Sequence, residues 1–380
     1  MPYNMYPEQQ AIRDDVKEFC EREILPVSAE WDQMPEPRKY PFEIYRKMGD
    51  VGFIGYATPK EYGGQGRSNL DYITVIEELS YHDAAFGLLC AIGELATFSI
   101  THFGSEEQKQ KYLPKCMSGE YVASFVLTEP DAGSDAAHCT TEAVETDSEY
   151  VLNGEKIFIM HGDAAHIAVV FCRIKDKPKM SAFIVETDQP GWQATTLKQK
   201  LGMRAATTAR IILKDVKVPK ENLLGDVGRG FRYAMTTLDG ARIGVGAQAV
   251  GLSQRALDES VAYAKKRIAF GQPVAKLQAI QWMIADMSVK LEAARMMTYK
   301  AAHMQDKGEK FSFEAAQCKL FCSEVANFCV DKAMQIHAGY GYIGEFSPIE
   351  KLYRDQRVLE IYEGTSEIQR LIIAANVIGR

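Results

Sequence analysis

YVASFVLTEPDAGSD, residues 121–135, is where the character of the chain changes. YVASFVL has the short, β-branched and aromatic make-up of a strand, and TEPDAGSD, rich in Pro, Asp, Gly and Ser, turns the chain behind it. Upstream the spacing is helical: Ile12, Val16 and Phe19 recur until Pro26, and Leu70, Ile73, Ile76 and Leu79 repeat the pattern. Ser105 and Gln108 form a capping box that opens another helix. Downstream come further strand-like runs, EYVLNGEKIFI (149–159), HIAVVFC (166–172), SAFIVET (181–187) and ARIILKDVKV (209–218). Asn153-Gly154 reads as a type I′ hairpin turn between two of them.

After a loop at Gly225 to Gly230 long helices return. Leu277, Ile280, Ile284, Met287, Leu291 and Ala294 alternate spacings of three and four, the seam of a bundled helix. A further helix is expected to begin at Ser312 as N-cap and to end near Gly339 as C-cap, and the last to begin around Thr365 with Glu367 in its first turn. The sequence therefore predicts a mainly α chain with an inserted β-domain: helices over 1–120, a β-domain over 121–224 and a helical bundle over 225–380. No P-loop and no GxGxxG after a strand is present.

The 380 residues are 46% hydrophobic and 25% charged, an ordinary globular balance with length for a large core. A net charge of -7 argues against nucleic acid as a partner, because a phosphate-backbone binder needs a basic face. MPYNMYPEQQAIRDD carries neither a basic n-region nor an apolar h-region, so a cytoplasmic location is expected, or the mitochondrial matrix after removal of a transit peptide. The apolar stretch Ala84 to Phe103 contains Glu94, Gly87 and Gly93, and reads as a buried helix rather than a membrane span. Eight cysteines without a CxxC pair point to reduced core thiols and to no metal site.

FVLTEPDAGSD (125–135), RIAFGQPVAKLQ (267–278), QIHAGYGY (335–342) and IYEGTSEIQR (361–370), in this order on a helix, strand, helix plan, resemble the acyl-CoA dehydrogenase family over essentially the full chain. The resemblance implies an N-terminal helical domain, a β-barrel-like middle domain and a C-terminal four-helix bundle, with short-chain, butyryl-type members nearest. It implies FAD as cofactor, lined by Phe125, Leu127, Thr128, Gly133 and Ser134, with Phe158, Ile159 and Met160 beside the flavin. Relatives commonly carry Trp-Ile-Thr at those last three positions, and Met160 cannot donate the hydrogen bond their threonine gives. Arg267, Phe270 and Gln278 would reach the FAD of a neighbouring subunit, and Gln335, Ile336, His337, Ala338 and Gly339 its far end. Thr365, Ser366 and Glu367 would approach the cofactor as the last helix starts. The implied assembly is a homotetramer, a dimer of dimers, and the implied electron acceptor is electron-transferring flavoprotein.

Asp239 and Arg242 match positions that touch the CoA-bearing substrate, as does Ser134. An arginine suits the CoA phosphates, and an i, i+3 pair on one helix is the plainer reading of the two.

Glu363 stands directly before Gly364, and removing a proton from the carbon α to a thioester needs a positioned, desolvated base. Gly364 lets the backbone approach a substrate. Glu363 matches the family's catalytic base, so the implied reaction is α,β-dehydrogenation of an acyl-CoA to the 2-enoyl-CoA. The helix from Ala84 to Ile100 has no Lys or Arg and Glu94 would repel a distal carboxylate, so a neutral acyl group is expected, short, branched or cyclic. Glu94 is either a carboxylate with a polar partner or a second acid near the acyl pocket, with Gly93 leaving room for bulk. Dehydrogenation of an alicyclic or dicarboxylic acyl-CoA, an acyl-CoA oxidase, and an acyl-CoA-binding scaffold without chemistry are the alternatives.

Overall fold

A computed structural model describes residues 7–379. The first six residues of the N-terminal stretch read for a leader lie outside the described residues. Six helices come first: α1 (Pro7–Phe19), α2 (Leu25–Gln33), α3 (Phe42–Asp50), α4 (Asn69–His82), α5 (Ala84–Phe103) and α6 (Glu106–Met117). Helix does not end at Pro26. One wide turn over Cys20–Ile24 carries the chain into α2, where Pro26 sits in the first turn and lacks no needed donor. The capping box is present, Gln108 N–H donating to Ser105 Oγ at 3.2 Å and Ser105 N–H to Gln108 Oε1 at 3.0 Å.

α5 is long and apolar enough to cross a membrane, but it is mostly buried inside the protein, wrapped by α4, α6, the following helix α7 (Gly230–Lys266) and strand β1 (Ala123–Val126). That enclosure makes it the core helix.

β1 is followed by β2 (Glu142–Glu145), β3 (Glu149–Met160), β4 (Ile167–Ile174), β5 (Met180–Glu186), β6 (Trp192–Thr196) and β7 (Thr208–Pro219). They form one curled sheet in the order β1-β4-β2-β3-β7-β6, with β5 on β4. The expected hairpin at Asn153-Gly154 is not there. β3 runs straight through both residues, and the pairing with β7 shifts register between Leu152 and Gly154. Asn153 spends its side chain on that bulge, donating to Asp215 and accepting the Asp215 N–H at 2.9 Å. Asn-Gly here makes a bend within a strand.

The chain then returns to helix: α7, a small hairpin of β8 (Ile268–Ala269) and β9 (Gln272–Pro273), α8 (Gln278–Asp306), α9 (Ser312–His337), α10 (Gly339–Tyr342), α11 (Ile349–Gln356) and α12 (Ser366–Ile378). α7, α8 and α9 pack on one another, with α11 and α12 against α9. Met287, Leu291 and Ala294 bury the seam of α8, Ile280 and Ile284 are half-buried, and Leu277 lies just before the helix. Ser312 is the first helical residue and not the N-cap; its hydroxyl donates to Asp239 at 3.0 Å. Gly339 is not the C-cap either: α9 ends at His337, Ala338 takes the positive φ of 52°, and Gly339 opens α10. All eight cysteines are buried and unpaired, and no metal-holding cluster exists among the described residues.

Candidate active site

Glu363 lies in the short link between α11 and α12, with a left-handed backbone (φ 55°) followed by Gly364 (φ 88°). A non-glycine residue in that region is strained and persists only where its surroundings hold it. Here they do. Arg242 Nε donates to the Glu363 carbonyl at 3.4 Å, and Gln369 Nε2 donates to the carbonyls of Glu363 (3.3 Å) and Gly364 (2.8 Å). At φ 88° a side chain at position 364 is strained, and its Cβ would also lie 2.7 Å from Gln369 Nε2, so the loop favours glycine. Thr365 caps α12, its hydroxyl accepting the Ile368 N–H, and Glu367 sits in the first turn with its carboxyl lowered by helix-start N–H groups.

The Glu363 carboxylate oxygen Oε2 is enclosed without a hydrogen-bond partner. Desolvation pushes its pKa up to about 7, against the opposing pull of Arg242 and then Lys319. The carboxylate faces a small pocket lined by Tyr72, Leu88, Ala91, Ile92, Leu95, Ala241, Gly244, Val245, Gln248 and Tyr362, with a free volume of about 20 Å³. The Glu363 backbone N–H donates to no protein acceptor among the described residues. An apolar pocket, a partnerless carboxylate and a free amide side by side can take a proton and hold a developing oxyanion.

Asp239 and Arg242 form the i, i+3 pair, and Arg242 is only 4% exposed, lying under the Glu363 backbone. Glu94 is enclosed too, its pKa pushed up to about 7 by burial, with the Tyr72 hydroxyl and the N–H groups of Ala57 and Tyr56 approaching it. The room expected over Gly93 is filled: a Cβ there would lie 2.5 Å from the Tyr45 hydroxyl.

A second group of predicted residues meets where β1 ends. Ile157 N–H donates to the Thr128 carbonyl at 3.0 Å and Ser124 Oγ to the Met160 carbonyl at 2.7 Å, which brings residues 124–128 and 157–160 together. Phe125 packs on Phe171, and Phe158 is 65% exposed at φ 58° beside a register shift in β3. Ile159 points into the sheet core, so only its backbone belongs to this face. The Met160 sulfur accepts the Thr208 hydroxyl at 3.0 Å. Beneath, Lys156 Nζ is fully buried and donates to the carbonyls of Leu127 and Phe171 and to Glu129, whose other bonds come from Thr140 and Thr141. That pairing holds the Glu129 carboxyl down at about 2 and pins the loop. The N–H groups of Leu127, Thr128, Gly133 and Ser134 donate to no protein acceptor among the described residues, and Gly133 and Ser134 are exposed. A row of free amides with an exposed aromatic ring fits a flavin and its phosphates.

A third group lines a cavity of about 500 Å³: Arg267, Ile336, His337, Ala338 and Gly339, with Tyr263, Tyr340 and Phe346. Phe270, 90% exposed at φ 51°, and the exposed Gln278 and Gln335 lie outside that lining. Sequence reasoning missed Tyr72, Gln248, Tyr362, Lys156 and Lys319. Gln248 did leave a signal, a lone amide in the small-residue run GVGAQAVG.

Three family descriptions match in chain order: acyl-CoA dehydrogenase N-terminal domain over residues 6–120, middle domain over 124–216 and C-terminal domain over 228–378. The Clostridium acetobutylicum protein named "Acyl-CoA dehydrogenase, short-chain specific" is 42% identical, covering 99% of this chain and 100% of that protein. The Anaerotignum propionicum protein named "Acryloyl-CoA reductase (NADH)" is 43% identical over 100% of this chain and 97% of its own. A solved chain titled as acyl-CoA dehydrogenase complexed with FAD from Bacillus anthracis aligns with a TM-score of 0.93 at 34% identity, over 100% of this chain and 67% of that one. The protein is thus a flavoprotein-type oxidoreductase in fold and ancestry. The chain belongs to the acyl-CoA dehydrogenase family.

Proposed function

We propose that this protein dehydrogenates a short, neutral acyl-CoA to the trans-2-enoyl-CoA, with Glu363 as the base for the α-proton. The observation that carries the reading is the partnerless, desolvated Glu363 carboxylate facing an apolar pocket from a loop that its neighbours hold. A carboxyl near 7 is basic enough to remove an acidified C–H proton and still ionised in half or more of the molecules at neutral pH. Arg242 sits below the loop and keeps the backbone at its strained φ, which aims the carboxylate. The free Glu363 N–H donates to the thioester oxygen as negative charge develops there. Bound FAD would supply the acceptor for the hydride that leaves the β-carbon.

The loop from Leu127 to Ser134 would hold that cofactor through its free amides, and Phe158 would pack on its ring. Arg267 and the segment 336–339 would take the far end of a cofactor bound by a second copy, with Phe270 and Gln278 reaching across; the exposure of Arg267, Phe270 and Gln278 in one chain suits that role. A homotetramer, with electron-transferring flavoprotein as electron acceptor, completes the proposal. The pocket favours a small acyl group, since its free space holds about one water-sized group before any side chain moves. Reduction of a 2-enoyl-CoA, the direction in the name of the Anaerotignum relative, uses the same proton site.

The test is anaerobic titration of the FAD-loaded protein with straight, branched, cyclic and dicarboxylic acyl-CoAs. Bleaching of the yellow colour by butyryl-sized neutral thioesters is expected. A protein that takes up no FAD, or one that no acyl-CoA bleaches, overturns the proposal.

A further inference from the structure

Two side chains in the pocket beside Glu363 have no part in proton removal. Gln248 is 1% exposed; its Oε1 accepts the Tyr362 hydroxyl, and its Nε2 has no partner at all. An amide N–H buried in that state is costly, so an occupant of the pocket that accepts from it gains what a hydrocarbon cannot. Tyr72 is the other. Its hydroxyl lies near the Glu94 carboxyl, and its phenol oxygen can accept a hydrogen bond whichever way its own O–H turns.

These groups share one face. The Tyr72 hydroxyl lies opposite Gly244, 4.0 Å from where a Cβ would stand, so nothing from α7 covers it at that position. Gln248 is four residues further along α7, one turn away on the same side. The rest of the wall, Leu88, Ala91, Ile92, Leu95 and Val245, is apolar. The free space of about 20 Å³ matches one oxygen-sized group.

Building on the dehydrogenase reading, we propose that this pocket selects an acyl chain bearing a hydroxyl beyond the β-carbon, held between Gln248 Nε2 and the Tyr72 oxygen. A hydroxyl answers both partners at once, accepting from the amide and donating to the phenol. A methyl of the same size leaves both unpaired. A carboxylate meets, behind Tyr72, the Glu94 carboxyl, which is ionised in about half of the molecules at neutral pH.

The experiment compares hydroxyl and methyl pairs on the FAD-loaded enzyme: 4-hydroxybutyryl-CoA against pentanoyl-CoA, and 5-hydroxypentanoyl-CoA against hexanoyl-CoA. For at least one pair kcat/KM should favour the hydroxyl about tenfold, the worth of one neutral hydrogen bond. Gln248→Leu and Tyr72→Phe should each pull that ratio back toward one; Tyr72→Phe carries the test if Gln248→Leu does not fold. Ratios at or below one for both pairs in the wild type, with butyryl-CoA still oxidised, overturn this inference and leave the dehydrogenase reading standing. A ratio unmoved by either variant overturns it as well. Failure of butyryl-CoA and every member of the panel to reduce the flavin overturns both.

Discussion

Replacing Glu363 by Gln should stabilise the protein, and only above a defined pH. The carboxyl titrates near 4.5 in an unfolded chain and near 7 in the native state, raised chiefly by desolvation. Below pH 4.5 both states hold the proton and the group contributes nothing to the pH dependence. Between 4.5 and 7 the native state keeps a proton that the unfolded chain has lost, so stability falls as pH rises through that window. Above 7 both states are ionised and the cost is complete. Moving a carboxyl from 4.5 to about 7 corresponds to about 3 kcal/mol. Because Glu363 is only half-buried by surface, about 2 kcal/mol is the working figure. Glutamine has the same shape and no charge to desolvate. Urea unfolding of FAD-saturated wild type and Glu363→Gln should therefore separate by about 2 kcal/mol at pH 8, in favour of the variant, and by less than about 1 kcal/mol at pH 5. A variant that is equally stabilised at both pH values, or destabilised at pH 8, would refute the desolvated-base argument. A site that costs stability in its active form is the expected trade between activity and folding.

Three further outcomes follow from the same geometry. The kcat/KM for a short acyl-CoA should rise with pH through about 7 and then level, since only ionised Glu363 accepts the proton; a profile flat from pH 6 to 8 would contradict this. Lys156→Met should destabilise the protein by about 3 to 5 kcal/mol, because it leaves the buried Glu129 charge without its counter-charge, and should loosen FAD by freeing the Leu127 carbonyl; calorimetry and flavin retention on gel filtration read the two effects. Gly93→Ala should cost about 1 to 3 kcal/mol in thermal unfolding, because the new methyl would press on the Tyr45 hydroxyl.

Element types were legible wherever a long periodic pattern existed. α5 announced itself by a long, mainly apolar run interrupted only at its middle by Glu94 and by small polar residues after it, and the change at residue 121 by β-branched composition. Local punctuation misled more often than periodicity. Asn153-Gly154 has the chemistry of a tight turn, yet the same small, flexible pair makes a bulge when a third strand, β7, pairs alongside and Asp215 binds the asparagine. Pro26 failed to stop helix because a wide turn just before it placed the ring in a new first turn. Ser312 gave up capping for a bond to Asp239 on another helix, a contact no local rule contains.

The site divides in the same way. Glu363 stood out in the sequence only through its motif, since a glutamate before a glycine is otherwise an ordinary turn. Its raised pKa comes from packing by α4, α5 and α7, residues far away in sequence. Arg242, which holds the loop alongside the nearby Gln369, and Gln248, which leaves a donor free in the pocket, are brought in by tertiary contact. The expected space over Gly93 was wrong for that reason as well: Tyr45 arrives from α3 to fill it.

The most direct measurement is stopped-flow reduction of the FAD-loaded enzyme by butyryl-CoA without oxygen, for wild type and Glu363→Gln side by side. Wild type should bleach rapidly, while the variant binds the thioester and bleaches slower by about 100-fold to 10,000-fold, the worth of a positioned base. Equal rates would mean that the α-proton leaves by another route.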